Sequence, residues 1–270
     1  MFISGIDTAT SYSLRMLADS MHALQRSVAR LSSGSRIASI ADDPAGAAIS
    51  IKFDAEISRI GAARSNLSNA TSFVQTQDGY LEQIAEALDR MSELSVLAQD
   101  ATKSSSDRTT YNTEFGELED FITATGSKAF NGISLFNGVA LNVTEDSDGN
   151  TFSVDGVNLG HVDYTTLAGL STTTTSNAST AATAVVQALD QVSSDRATVG
   201  ANLARLQHTA SALLSYQENM SGALSLIKDV DIAFESTYYA MQSLKVQTAT
   251  AILAQSTTLS QSALRLLGVS

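Results

Sequence analysis

A chain of 270 residues with 43% hydrophobic content can bury a sizeable core and is too apolar to be disordered throughout. Its net charge of −12, with no basic cluster to offset it, repels phosphate backbones and anionic lipid and argues against nucleic-acid binding. The absence of cysteine removes disulfides, thiol catalysis and cysteine metal sites together.

The first ten residues carry no basic segment followed by an apolar one, so a secretory signal peptide is not expected. Leu14, Leu17, Met21, Leu24, Val28 and Leu31 then recur in steps of three and four, the seam of a coiled-coil helix. Asp42, Asp43 and Pro44 form a helix start, with Asp43 as N-cap and the chain's only proline at the first helical position. The helix that follows runs to about Gln99, and in it Ile60, Leu67, Val74, Leu81 and Leu88 fall seven apart. Ser104 to Asp107 read as a turn and cap, and Tyr111, Phe115, Leu118 and Ile122 continue an apolar face to Gly126.

From Phe130 to Ser176 the period changes. Leu141 and Val143, then Phe152 and Val154, alternate about Asp148, Gly149 and Asn150, which predicts a hairpin. The polar tract from Ser171 to Ser176 reads as flexible, with helix resuming near Ala181. Val185, Leu189, Val192, Val199, Leu203, Leu206, Leu213, Met220 and Ile227 belong to one further seam. A helix over that span is roughly 65 Å long at about 1.5 Å per residue and needs a lengthwise partner. The uncharged stretch from Val246 to Leu264 has the length of a membrane span, but glutamine, serine and threonine stripe it and Ile252, Leu259 and Leu266 lie seven apart. It reads as a buried or self-associating helix with no membrane insertion.

Residues able to carry chemistry are few. Asp146, Asp148, Gly149 and Asp155 fall at calcium-loop positions, yet Thr144 stands where the first carboxylate belongs, so a hairpin turn is the reading. His22, His161 and His208 are far apart in sequence, and Glu117, Glu119 and Asp120 do not face one another on a helix. Neither a phosphate-binding glycine loop nor a nucleophile elbow is present. No enzyme activity, cofactor or metal is expected.

Runs in two regions of the chain carry a family resemblance. Leu31-Ser32-Ser33-Gly34-Ser35-Arg36-Ile37, with Asp42-Asp43-Pro44-Ala45-Gly46, resembles the N-terminal signature of bacterial flagellins, and Gln75 to Leu81 and Phe130-Asn131-Gly132 are similar to later parts of it. Arg196 to Ala201, Asp229 to Ala233, Ala251 to Gln255 and Leu264 with Leu266 and Leu267 resemble the C-terminal signature. The resemblance implies a mainly α fold, a long helical coiled-coil bundle formed by the two terminal segments, with a small β-hairpin element in the middle. It implies a terminal inner domain of residues 1–41 and 228–270, ordered on assembly, and an outer-core domain of 42–227 with the β region at 130–176. The middle is too short for the variable outer domains of longer members.

The function so implied is a subunit that polymerises with many copies of itself into an extracellular flagellar filament for swimming motility. The hook-filament junction protein is the alternative. The resemblance further implies export, unfolded, through the flagellar type III apparatus with a chaperone, and contact with filament cap and hook-junction proteins. Assembly seams are placed at Leu14, Leu17, Met21, Leu24, Val28 and Leu31, and at Ile227, Phe234, Ile252, Leu259 and Leu266. Arg90, Leu94 and Glu114 match the residues that the vertebrate innate-immune flagellin receptor recognises in this family, although Asp89, Ser92 and Leu97 depart from the usual surrounding pattern.

Overall fold

Short polar side chains start the helices and set their boundaries. Asp43 Oδ1 accepts from the Gly46 N–H at 2.9 Å and Asp231 Oδ1 from the Phe234 N–H at 3.0 Å. Ser104 and Asp107 form a reciprocal capping box. The structure, a computed structural model, describes residues 2–266, with side chains described over 10–259 and at 261 and 262. In chain order the elements are α1 (Phe2–Ser33), α2 (Pro44–Gln99), α3 (Ser105–Thr125), β1 (Ala129–Phe130), β2 (Ile133–Ser134), β3 (Leu141–Thr144), β4 (Thr151–Val154), α4 (Val162–Thr165), α5 (Thr175–Lys228) and α6 (Ile232–Leu266). Helix dominates, with two small antiparallel hairpins between the long helices, the mainly α architecture that the heptads predicted.

The chain divides into two compact units, Met1–Ala55 with Asn219–Ser270, and Glu56–Glu218. The sequence division at 41/42 and 227/228 follows helix ends, whereas the compact units divide within α2 and α5.

In the unit Glu56–Glu218, α2 and α5 run antiparallel, as three contacts along their length establish. Arg64 Nη1 donates to Gln217 Oε1 at 2.6 Å, Arg196 Nε to Asp78 Oδ1 at 3.0 Å and Gln99 Nε2 to the Ala178 carbonyl at 3.5 Å. Along this length both helices bury a seven-residue repeat: Ile60, Leu67, Val74, Leu81 and Leu88 on α2, and Val185, Val192, Val199, Leu206 and Leu213 on α5. Each such side chain contributes about 1.5–3 kcal/mol. Phe115 and Ile122 of α3 join this core. Asn112 and Glu119 of α3 accept the Thr172 and Gly169 N–H groups, holding the segment after α4 in place.

The β3–β4 hairpin has the register the alternation predicted, Leu141 opposite Val154 and Val143 opposite Phe152. Val143, Phe152 and Val154 are buried, and the Arg205 guanidinium lies 4.1 Å from the centre of the Phe152 ring. Asp146 closes the turn by accepting the Asp148 and Asn150 N–H groups, and the Asn150 side-chain hydrogen bond leads in holding its carboxyl below the usual range.

Two local features depart from the sequence reading. Helix α5 starts at Thr175, within the tract read as flexible and ahead of Ala181, because Thr174 Oγ1 accepts the Asn177 N–H and so caps it. Polar runs of this kind are ambiguous between linker and cap. The β1–β2 hairpin turns on Asn131 and Gly132, both left-handed at φ 49° and 80°, the pairing that a two-residue turn requires.

Candidate assembly surface

Helices α1 and α6 pack against each other in the unit formed by the two chain ends. They are antiparallel: the Thr10 and Ser256 hydroxyls are 2.9 Å apart, and Ser27 Oγ donates to the Glu235 carbonyl at 3.5 Å. Thr10, Ser13, Leu17, Ser20, Leu24, Ser27 and Leu31 of α1 lose exposure in an unbroken alternation of three and four, with Ala23 and Arg30 beside them. Glu235, Tyr238, Gln242, Val246, Ala249, Leu253 and Ser256 do the same on α6. Much of this seam is small or polar, and small side chains let two backbones approach closely. Serine 20 and Ser27 are buried there, as is Ala23 beside them.

At the inner end of the pair the chain fastens itself. Gly34, left-handed at φ 68°, ends α1 and turns the backbone so that Arg36 N donates to the Lys228 carbonyl at 2.7 Å and Val230 N to the Gly34 carbonyl at 3.0 Å. The Arg36 guanidinium donates through Nη2 and Nε to the Ile227 carbonyl at 2.8 and 3.3 Å. A cation thus meets the negative end of α5, where last-turn carbonyls lack helical partners. Nearby, Arg30 lies 3.9 Å from both Asp42 and the buried Glu235.

The predicted seam residues separate into two groups. Leu17, Leu24, Leu31 and Ile227 are half-buried. Leu14, Met21 and Val28, also seven apart, are each 48% exposed, and Phe234, Ile252 and Leu259 of α6 are exposed too. Leu266 ends α6, but its side chain lies outside the described residues. The apolar six-residue repeat on α1 therefore spans two faces: one turned to α6 and an adjoining one that α6 leaves bare. Reading hydrophobicity alone merges them. The serines at 13, 20 and 27, spaced by seven, were the available signal for the true contact line.

The bare side of the pair also forms a groove of about 410 Å³ lined by Tyr12, Met16, Met241, Leu244 and Ile252 among others. Sequence periodicity does not single out Tyr12, Met16, Met241 or Leu244, because they fall between the heptad positions.

The three receptor-matching residues lie on α2 and α3. Arg90 forms a two-point contact with Glu114, Nε to Oε1 at 2.6 Å and Nη2 to Oε2 at 3.1 Å, and also pairs with Glu93. Hydrogen bonding to Arg90 holds the Glu114 carboxyl below its usual range. Arg90 and Glu114 are exposed, whereas Leu94 is fully buried. Among the described residues, no group of three or more His, Cys, Asp or Glu side chains could hold a metal ion, and no helix is long and apolar enough to cross a membrane.

Comparison with known proteins places both chain ends. The family models for the bacterial flagellin N-terminal and C-terminal helical regions match residues 7–140 and 182–267. The chain is 34% identical to the flagellin of Halalkalibacterium halodurans, over 90% of this chain and 91% of that protein. It is 30% identical to the flagellar filament 30.7 kDa core protein of Treponema maltophilum, over 96% and 97%. Among solved structures, a putative flagellar hook-associated protein from Vibrio parahaemolyticus shares the fold, with TM-score 0.58 and 16% identity over 69% of this chain and 99% of that one.

Proposed function

The chain belongs to the bacterial flagellin family, and from that premise we propose that it is the structural subunit that polymerises into the flagellar filament, in a short form. Only residues 141–181 lie between the two matched segments, which leaves no length for large outer domains. Its role is structural rather than catalytic.

The observation that carries the assembly mechanism is the unshared apolar repeat on the terminal pair, Leu14, Met21 and Val28 on α1 with Ile252 and Leu259 on α6. The contact between α1 and α6 uses other positions, so this second stripe remains for neighbouring copies. A contact between two different patches whose rotation does not close into a ring propagates as an open helix. Burial of the stripe by neighbours supplies the driving force, at about 25 cal/mol per Å² of apolar surface covered.

The same reading carries the finer partners. The chain leaves the cell unfolded through the flagellar type III apparatus with a chaperone. It then meets the filament cap and, at the base, the hook-junction proteins. In vertebrate hosts Arg90 and Glu114 are the exposed contacts for the innate-immune receptor, with Leu94 shaping the surface from beneath. Replacing Arg90 by Ala is predicted to reduce receptor signalling at least about tenfold, the loss of one charge-assisted pair. An unchanged dose response would remove these residues from the receptor contact.

Seeded growth tests the filament reading. Purified subunit added to short filament fragments should elongate them by electron microscopy until free subunit is exhausted. Short capped seeds with free subunit left over would instead favour a junction protein present in few copies.

A further inference from the structure

With no cysteine in the chain, its sulfur chemistry rests on six methionines. Their placement is uneven. Met91 is fully buried in the α2 core and Met220 is half-buried. Met16, Met21 and Met241 are 46%, 48% and 45% exposed, and all three lie on α1 and α6. Met16 and Met241 line the same groove from opposite helices, and Met21 sits in the bare stripe between Leu14 and Val28. Every strongly exposed thioether among the described residues is therefore on the stripe assigned above to neighbouring subunits or in the groove that adjoins it at Ile252.

We propose that Met16, Met21 and Met241 form an oxidation site through which peroxide-class oxidants stop the free subunit from adding to the filament. The proposal rests on the filament reading. In the step itself a thioether lone pair attacks one oxygen of hydrogen peroxide. The O–O bond breaks, an S–O bond forms, and the second oxygen leaves with both protons as water. Sulfur is oxidised by two electrons and peroxide is reduced by two. The product is a polar, chiral sulfoxide in place of a flexible apolar chain. Its oxygen must be desolvated when a neighbour covers it, and at Met21 the flanking stripe residues Leu14 and Val28 carry no side-chain donor to receive it. A methionine sulfoxide reductase with a dithiol donor reverses the change: the oxygen leaves as water and the two thiols become a disulfide. Once a subunit is incorporated, its three thioethers are covered, so sensitivity belongs to the free subunit and not to the finished filament.

The test is limited treatment of the free subunit with hydrogen peroxide, followed by peptide mass spectrometry and seeded elongation. Oxygen is expected at Met16, Met21 and Met241 before Met91, with elongation slowed about tenfold or more, as one unpaired buried polar group suffices to produce. Reductase treatment should restore the rate, and a Met16→Leu, Met21→Leu, Met241→Leu variant, compared with its own untreated rate, should elongate equally fast before and after peroxide. Elongation by the oxidised subunit at the untreated rate, or equal peroxide sensitivity of the triple variant, overturns the proposal alone. Failure of the untreated subunit to elongate seeds overturns the filament reading and this proposal with it.

Discussion

Arg36 stands where the two chain ends meet, and its contribution can be separated from the hydrophobic terms around it. Its guanidinium supplies two hydrogen bonds to the Ile227 carbonyl at the end of α5 and lies 3.5 Å from Asp43 at the start of α2. Arg36→Ala should lower stability by about 1 kcal/mol, and Arg36→Lys should restore only part, because a single ammonium does not reproduce the planar donor pair. Chemical denaturation of the three proteins checks this; equal midpoints would mean that water caps α5 as well as arginine does. Asp107 makes a prediction in pH. Hydrogen bonding from the Ser104 backbone holds its carboxyl below the usual range. A carboxyl depressed in the folded state adds stability above its ordinary value, and this is lost as pH falls through the depressed one. Asp107→Asn should therefore flatten the acid limb of the α3 unfolding profile, whereas a limb identical to that of the parent protein would show that the cap carries no titrating stability.

The antiparallel helices α2 and α5 show most directly how seven-residue repeats become structure. Leu206 is fully exposed to the core and not at all to solvent, midway along the buried repeat of α5. Leu206→Asp should cost about 3–5 kcal/mol, since a lost apolar contact is joined by a buried unpaired charge. Thermal melting at the parent temperature would contradict the placement of that repeat. These helices were legible from sequence because their contact line is made of large aliphatic residues, so that hydrophobicity and burial coincide. On α1 and α6 the two separate. Ser13, Ser20 and Ser27 line the contact while Leu14, Met21 and Val28 stand outside it, and a reading that follows apolar side chains blends the two faces. The β1–β2 hairpin escaped for another reason: strands of two residues contain no alternation to detect, and only the Asn131-Gly132 pair marks them. The start of α5 was missed because serine and threonine serve caps and linkers equally well.

For the molecule as a whole, the proposed assembly surface has folding and polymerisation draw on different residues of the same two helices. Leu14→Ser, Met21→Ser and Val28→Ser made together should leave the free subunit with its parent melting temperature while abolishing elongation of seeds, because the positions are exposed in one chain. Loss of folding in the free subunit would place these side chains in its own core and remove them from the assembly surface. The pairing of α1 with α6 has one more effect, which concerns the order in which a chain becomes available. Thr10 meets Ser256 across 246 positions of sequence. Nearly all of the polypeptide must exist before the first helix can find its partner, and closing so long a loop is slow compared with forming any local helix. A chain cut short before α6 keeps both faces of α1 uncovered and lacks one half of the joining surface. On the proposed assembly surface, such an incomplete copy has only half of the joining face to offer a neighbour.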